Sequence, residues 1–143
     1  MGLDMFFIFT TEDNKPDFDE IIQKKEYFES SDKNIYWRNA DVIHWWLEDH
    51  LALEKYPSSQ MDNCNWYYFP EQTIYKLYDA CQNVLSHPDD AKTIIPPSKP
   101  YEFCRMLFID DFYFEIISDT VHQLTKNLSN PSMEHGGWYT FWW

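Results

Sequence analysis

The sequence predicts an α+β fold: three to four helices packed on a small antiparallel sheet formed by the N- and C-terminal strands. Three observations predict it. Both ends of the 143-residue chain are short aromatic runs of strand length. Much of the interior carries apolar residues at helical spacing. The one clear loop, Ile95-Pro96-Pro97-Ser98-Lys99-Pro100, is too short to divide domains, so residues 1–143 read as a single compact domain.

Taken in order, Leu3 to Thr10 is an apolar run interrupted only by Asp4, and polar residues 11–14 close it. That suits a buried strand. Pro16 before Asp17-Phe18-Asp19-Glu20 marks a helix start, with Phe18, Ile21, Ile22 and Phe28 inward and Lys25 inside the same arc. Asn34 to Leu53 reads as one long helix, apolar over more than half its circumference and therefore central. Asn65 to Phe69 is a candidate third strand. Pro70 opens a cleaner helix whose Ile74, Leu77, Tyr78, Cys81, Val84 and Leu85 share one face. His87-Pro88-Asp89-Asp90 restarts a short helix that stops before Ile95. The last helix runs from about Asp110 to Leu128. Tyr113, Ile116, Ile117, Thr120, Val121, Leu124 and Leu128 form its core stripe, while Glu115, Ser118, Asp119, His122, Gln123 and Lys126 face out. Gly136-Gly137 then turns the chain into the strand Trp138–Trp143.

Composition narrows the function classes. With 24 Asp and Glu against 11 Lys and Arg, the net charge is −13, which argues against direct nucleic-acid binding, since grip on phosphates comes from Lys and Arg. Aromatics reach 20 %, far above acidic disordered chains. The charge is dispersed, −5 over residues 1–33, −4 over 34–85 and −4 over 86–143, with no like-charge block. No apolar run approaches the roughly 20 residues that span a bilayer, and Asp4 stands where a signal peptide carries Lys or Arg, so no membrane partner is expected. Cys64, Cys81 and Cys104 have no CxxC spacing, fitting reduced thiols, with Cys81 at the centre of a buried stripe. His44 and His50 are six apart, the wrong interval for a metal on one helix face; neither a metal nor another cofactor is implied.

The segment 34–53 holds the candidate functional residues. Its apolar arc contains Asn39, His44 and His50, and each buried polar group costs about 1–3 kcal/mol unless it is partnered. One reading has Asn39 and His44 bonding to backbone or to Asp4, tying helix to sheet. The other is a pocket in which His44 works as acid, base or ligand-binding group beside Asn39 and Arg38. Arg38 also stands three residues from Asp41, within reach of an intrahelical ion pair. The narrow polar strip holds Arg38, Asp41, Glu48 and Asp49, and Trp45 falls within it. These residues, with Trp142 and Trp143, form a candidate partner-binding surface, because Trp and Arg anchor interfaces. The alternative for Trp45 is cover by the loop before Asn34. Asp110-Asp111 is an adjacent acidic pair that invites a metal reading, without a motif around it.

Several fragments occur together in a recognisable order. They are the opening Met-Gly-Leu-Asp-Met-aromatic, Tyr36-Trp37-Arg38-Asn39-Ala40, Ile43-His44-Trp45-Trp46, Cys64 with Tyr67-Tyr68, Leu77-Cys81-Val84-Leu85-His87-Pro88, Asp119-Thr120 and a terminal aromatic strand. As a set they resemble a family of small uncharacterised phage and prophage proteins that typically begin Met-Gly-Leu-Asp-Met-Tyr. Phe6 departs from the usual Tyr, and Tyr139-Thr140-Phe141-Trp142-Trp143 replaces small hydroxyl residues before a final Trp. The resemblance implies a phage or prophage origin and action in the cytoplasm of a bacterial host. It transfers no catalytic residue.

Two function classes follow. One is a counter-defence protein, an anti-CRISPR-like inhibitor that binds a host nuclease or defence complex through an acidic, aromatic surface and so acts as a DNA mimic. The other is a small enzyme acting on a nucleotide or signalling molecule in a His44-centred pocket, although with 3 Gly no phosphate-cradling loop is available. A homo-oligomeric accessory or regulatory protein, such as a homodimer, with the aromatics as its own interface, is a third.

Overall fold

A computed structural model describes residues 2–23, 34–57, 60–97 and 109–142. The fold is α+β. A four-stranded antiparallel sheet runs in the order β2-β1-β4-β3, with β1 at Asp4–Phe9, β2 at Asn34–Arg38, β3 at Tyr67–Phe69 and β4 at Gly137–Trp142. The two chain ends meet as expected: Met5 faces Phe141, and Phe7 faces Tyr139. The short strand within 65–69 joins at the edge, Tyr67 opposite Tyr139. Five α-helices are described: α1 (Phe18–Gln23), α2 (Asp41–Asp49), α3 (Glu71–Ser86), α4 (Ala91–Ile94) and α5 (Asp111–Leu128). A 3-10 turn, Pro88–Asp90, precedes α4. None of the described helices is long and apolar enough to cross a membrane.

The strands are apolar on both faces because both faces are covered. Met5, Phe7 and Phe9 of β1, Ile35 and Trp37 of β2, and Tyr139 and Phe141 of β4 pack with α2, α3 and α5 in the main core. Phe6 of β1 and Trp138 of β4 join Ile21 of α1 and Trp66 in a second cluster, bordered by Phe18, Tyr36, Tyr68 and Trp142. This second layer absorbs much of the aromatic load. Trp142 lies 5.0 Å from Phe6 in a stack and meets Phe18 edge-on at 5.4 Å. Such ring pairs add about 0.5–1.5 kcal/mol each beyond the area they bury. Gly137 is demanded by the close approach of β1, since a Cβ there would stand 2.1 Å from the Ile8 carbonyl oxygen.

The long helix expected over 34–53 is not formed. Residues 34–38 are the edge strand β2, paired with β1 from Asp4–Arg38 to Ile8–Asn34, and the helix starts only at Asp41. Asn39 makes the break. It adopts φ 55°, a left-handed conformation Asn tolerates, and its amide and side chain both bond to Leu3. His50, expected inward, is exposed just past the end of α2, where it stacks on Trp46 at 3.6 Å. In α1, Ile21 is buried while Ile22 is 47 % exposed. Leu85, expected in the α3 core stripe, is 40 % exposed. Lys25, Phe28, the loop before Asn34, Ser98–Pro100, Cys104, Arg105 and Trp143 lie outside the described residues.

Candidate protein-binding face

Three polar residues of α2 stand on its buried side. Asp41, His44 and Glu48, three and four residues apart, share one face of the helix and are at most 5 % exposed. His44 Nδ1 lies 2.8 Å from the Tyr139 hydroxyl on β4, and its ring packs edge-on against Phe141 at 4.3 Å. Burial, followed by the charges of Glu48 and Asp41, holds the Tyr139 hydroxyl well above its ordinary pKa. Glu48 accepts the Met61 backbone N–H at 3.0 Å. The chain after α2 thus folds back over the strip expected to face solvent, and Leu51 and Met61 enter the core beside it.

The His44-centred grouping expected from sequence is not an open pocket. His44 is 2 % exposed and ties α2 to the sheet through Tyr139. Asn39 is spent on the Leu3 backbone, with Oδ1 accepting at 2.9 Å. Arg38 is exposed at the end of β2, in a strand, so the intrahelical pair with Asp41 does not arise. Asp4 accepts the Tyr36 hydroxyl at 2.5 Å.

The residues expected to make a partner surface differ in exposure. Trp45 is 8 % exposed and packs edge-on against His44 at 4.6 Å, and Asp41 and Glu48 are buried. Trp142 is half-buried in the second aromatic layer, while Arg38 and Asp49 remain exposed. Among the described residues of that expected surface, only Arg38 and Asp49 are exposed.

A different surface carries acid and apolar groups side by side. On α5, Asp111, Glu115 and Asp119 recur every four residues, about 6 Å apart along the axis. With Leu85 of α3, Phe114 and His122 they line an open groove of about 750 Å³. Phe112, 43 % exposed, stands one residue from Asp111. Asp119 is steadied by Gln123 Nε2 at 2.8 Å. Asp110, by contrast, is structural: its side chain caps α5 by accepting the Tyr113 N–H at 3.0 Å. Among the described residues no group of three or more His, Cys, Asp or Glu is arranged to hold a metal ion.

The outward positions Glu115, Ser118, Asp119 and His122 follow from the helical periodicity of 110–128. The groove they make with Leu85 does not, because it depends on how α3 and α5 pack. The exposed Phe112 beside the Asp110-Asp111 pair was the available signal. No protein family, curated protein or solved structure matches the chain.

Proposed function

We propose that this is a phage- or prophage-encoded counter-defence protein, an anti-CRISPR-like inhibitor that binds and blocks a bacterial host nuclease or defence complex in the cytoplasm. The observation that carries the binding mode is the groove on α5, with Asp111, Glu115 and Asp119 in a row beside Leu85 and Phe114. A row of carboxylates suits the basic channel in which a nuclease holds nucleic acid, and the chain's charge of −13 steers the encounter. Phe112 and Leu85 supply apolar surface that can be desolvated at the contact. The phage setting rests on the ordered motif set that includes Tyr36-Trp37-Arg38-Asn39-Ala40 and Ile43-His44-Trp45-Trp46.

The test is recovery of a partner from a lysate of the bacterial host, with the native chain and with a variant carrying Asp111→Asn, Glu115→Gln and Asp119→Asn. The native chain is expected to retain a basic nucleic-acid enzyme or a subunit of a defence complex, and the variant to lose at least tenfold in affinity. A partner held equally by both would remove α5 from the interface.

A further inference from the structure

We propose that a second recess, formed where the loop after β1 meets the chain between α2 and β3, binds a small phosphate-bearing ligand. The cavity measures about 350 Å³, and its walls include Lys15, Lys55, Tyr56, Asp62, Trp66 and Tyr67. That volume lies near the lower end of small-molecule sites, about 300–1,000 Å³. It shares no lining residue with the α5 groove and is independent of the partner proposed above.

The charge placement singles this recess out. The described residues contain six Lys and Arg, and two of them line this one cavity. Both lysines are held over rings, Lys15 at 5.7 Å from the Trp138 centroid and Lys55 at 5.4 Å from that of Tyr68. Ammonium groups positioned in advance lose less freedom when an anion binds. Neutral donors stand with them. The Tyr56 hydroxyl accepts the Tyr68 N–H at 3.0 Å and the Tyr67 hydroxyl accepts the Asp62 N–H at 2.6 Å, which leaves each phenol its own proton to give. Trp66 is 8 % exposed, and its buried indole N–H has no acceptor. Phosphate, with several acceptor oxygens and up to two charges, suits two ammonium groups and a set of O–H and N–H donors.

Two carboxylates oppose the anion and supply a sign test. Glu12 pairs with Lys55, and Asp62 is in the wall. The Glu12–Lys55 pair is about half exposed on both sides, so an entering phosphate displaces it at little cost. Removing Glu12 therefore strengthens phosphate binding, whereas a cationic ligand would be weakened by the same change.

The experiment is calorimetric titration of the full chain with inorganic phosphate and with adenosine 5′-monophosphate, at low ionic strength. Saturable binding is expected, with the nucleotide at least as tight as inorganic phosphate. Lys15→Ala and Lys55→Ala should each weaken it about tenfold, and Glu12→Gln should strengthen it severalfold, a gain that misfolding cannot imitate. Lys76→Ala, on the exposed side of α3, should change nothing. Four results overturn the proposal: no saturable heat with either probe, Lys15→Ala and Lys55→Ala behaving like Lys76→Ala, weaker binding in Glu12→Gln, or phosphate binding that excludes the nucleotide.

Discussion

Asn39 shows how one residue divides two elements. Its φ of 55° turns the chain from β2 into α2, while its side chain and amide close on Leu3. Asn39→Ala loses the side-chain bond and places a Cβ-branching-free but still strained residue in the left-handed region; Asn39→Gly loses the bond alone. Unfolding in denaturant should show the Ala variant less stable by about 2 kcal/mol, and the Gly variant by about half as much. Buried acids make a second prediction at this scale. Burial pushes the Cys81 thiol from 9.0 up to about 12, and raises the Tyr113 and Tyr139 hydroxyls above 10.0. In each case the unfolded chain gives up its proton first. The associated stability is fully present below pH 9 and is lost as pH rises toward the folded values, at up to about 1.4 kcal/mol per pH unit for each group. Denaturant midpoints measured from pH 7 to 11 should therefore be level at first and then fall. A profile that stays level above pH 9 would show that these groups ionise as readily in the folded chain as in the unfolded one.

The elements were legible where a period was long enough to read. The inward stripe of α5, Tyr113, Ile116, Ile117, Thr120 and Leu124, stands buried as its spacing indicates, as do Ile74, Leu77, Cys81 and Val84 of α3. The terminal strands were legible from their apolar runs. The split at Asn39 was not, because Ile35 and Trp37 alternate for only five residues before the apolar helix begins, and a helical wheel absorbs so short a strand. Asn39 and the acid at Asp41 were the local signs of a turn and a helix start. The candidate surface shifted for the same reason: Trp45, Asp41 and Glu48 face the returning chain at Met61, a long-range contact that periodicity does not encode. β2 is an edge strand, and Gln123 of α5 occupies its free side, accepting the Tyr36 N–H at 3.2 Å and donating to the Tyr36 carbonyl at 3.0 Å. An unpaired edge invites a second chain. Gln123→Ala should therefore speed amide exchange at Tyr36 and raise self-association in sedimentation at high concentration. Unchanged exchange at Tyr36 would mean that the edge is protected by other contacts.

At the scale of the molecule, charge and aromatics have different roles. The rings are largely committed to two layers on either side of one sheet, which leaves Phe112 and Tyr75 among the exposed aromatic side chains. The −13 charge is dispersed along the chain, and Asp111, Glu115 and Asp119 form a row on α5. Charge on a contact rim governs encounter rate and salt dependence more than the final grip. The proposed function requires that α5 meet a basic partner. Its most direct test is the affinity of the native chain for the recovered partner between about 0.05 and 0.5 M salt. Affinity should fall steeply as salt rises, and the Asp111→Asn, Glu115→Gln, Asp119→Asn variant should start weaker and fall less. An affinity that is flat with salt, or a variant with the native slope, would contradict it.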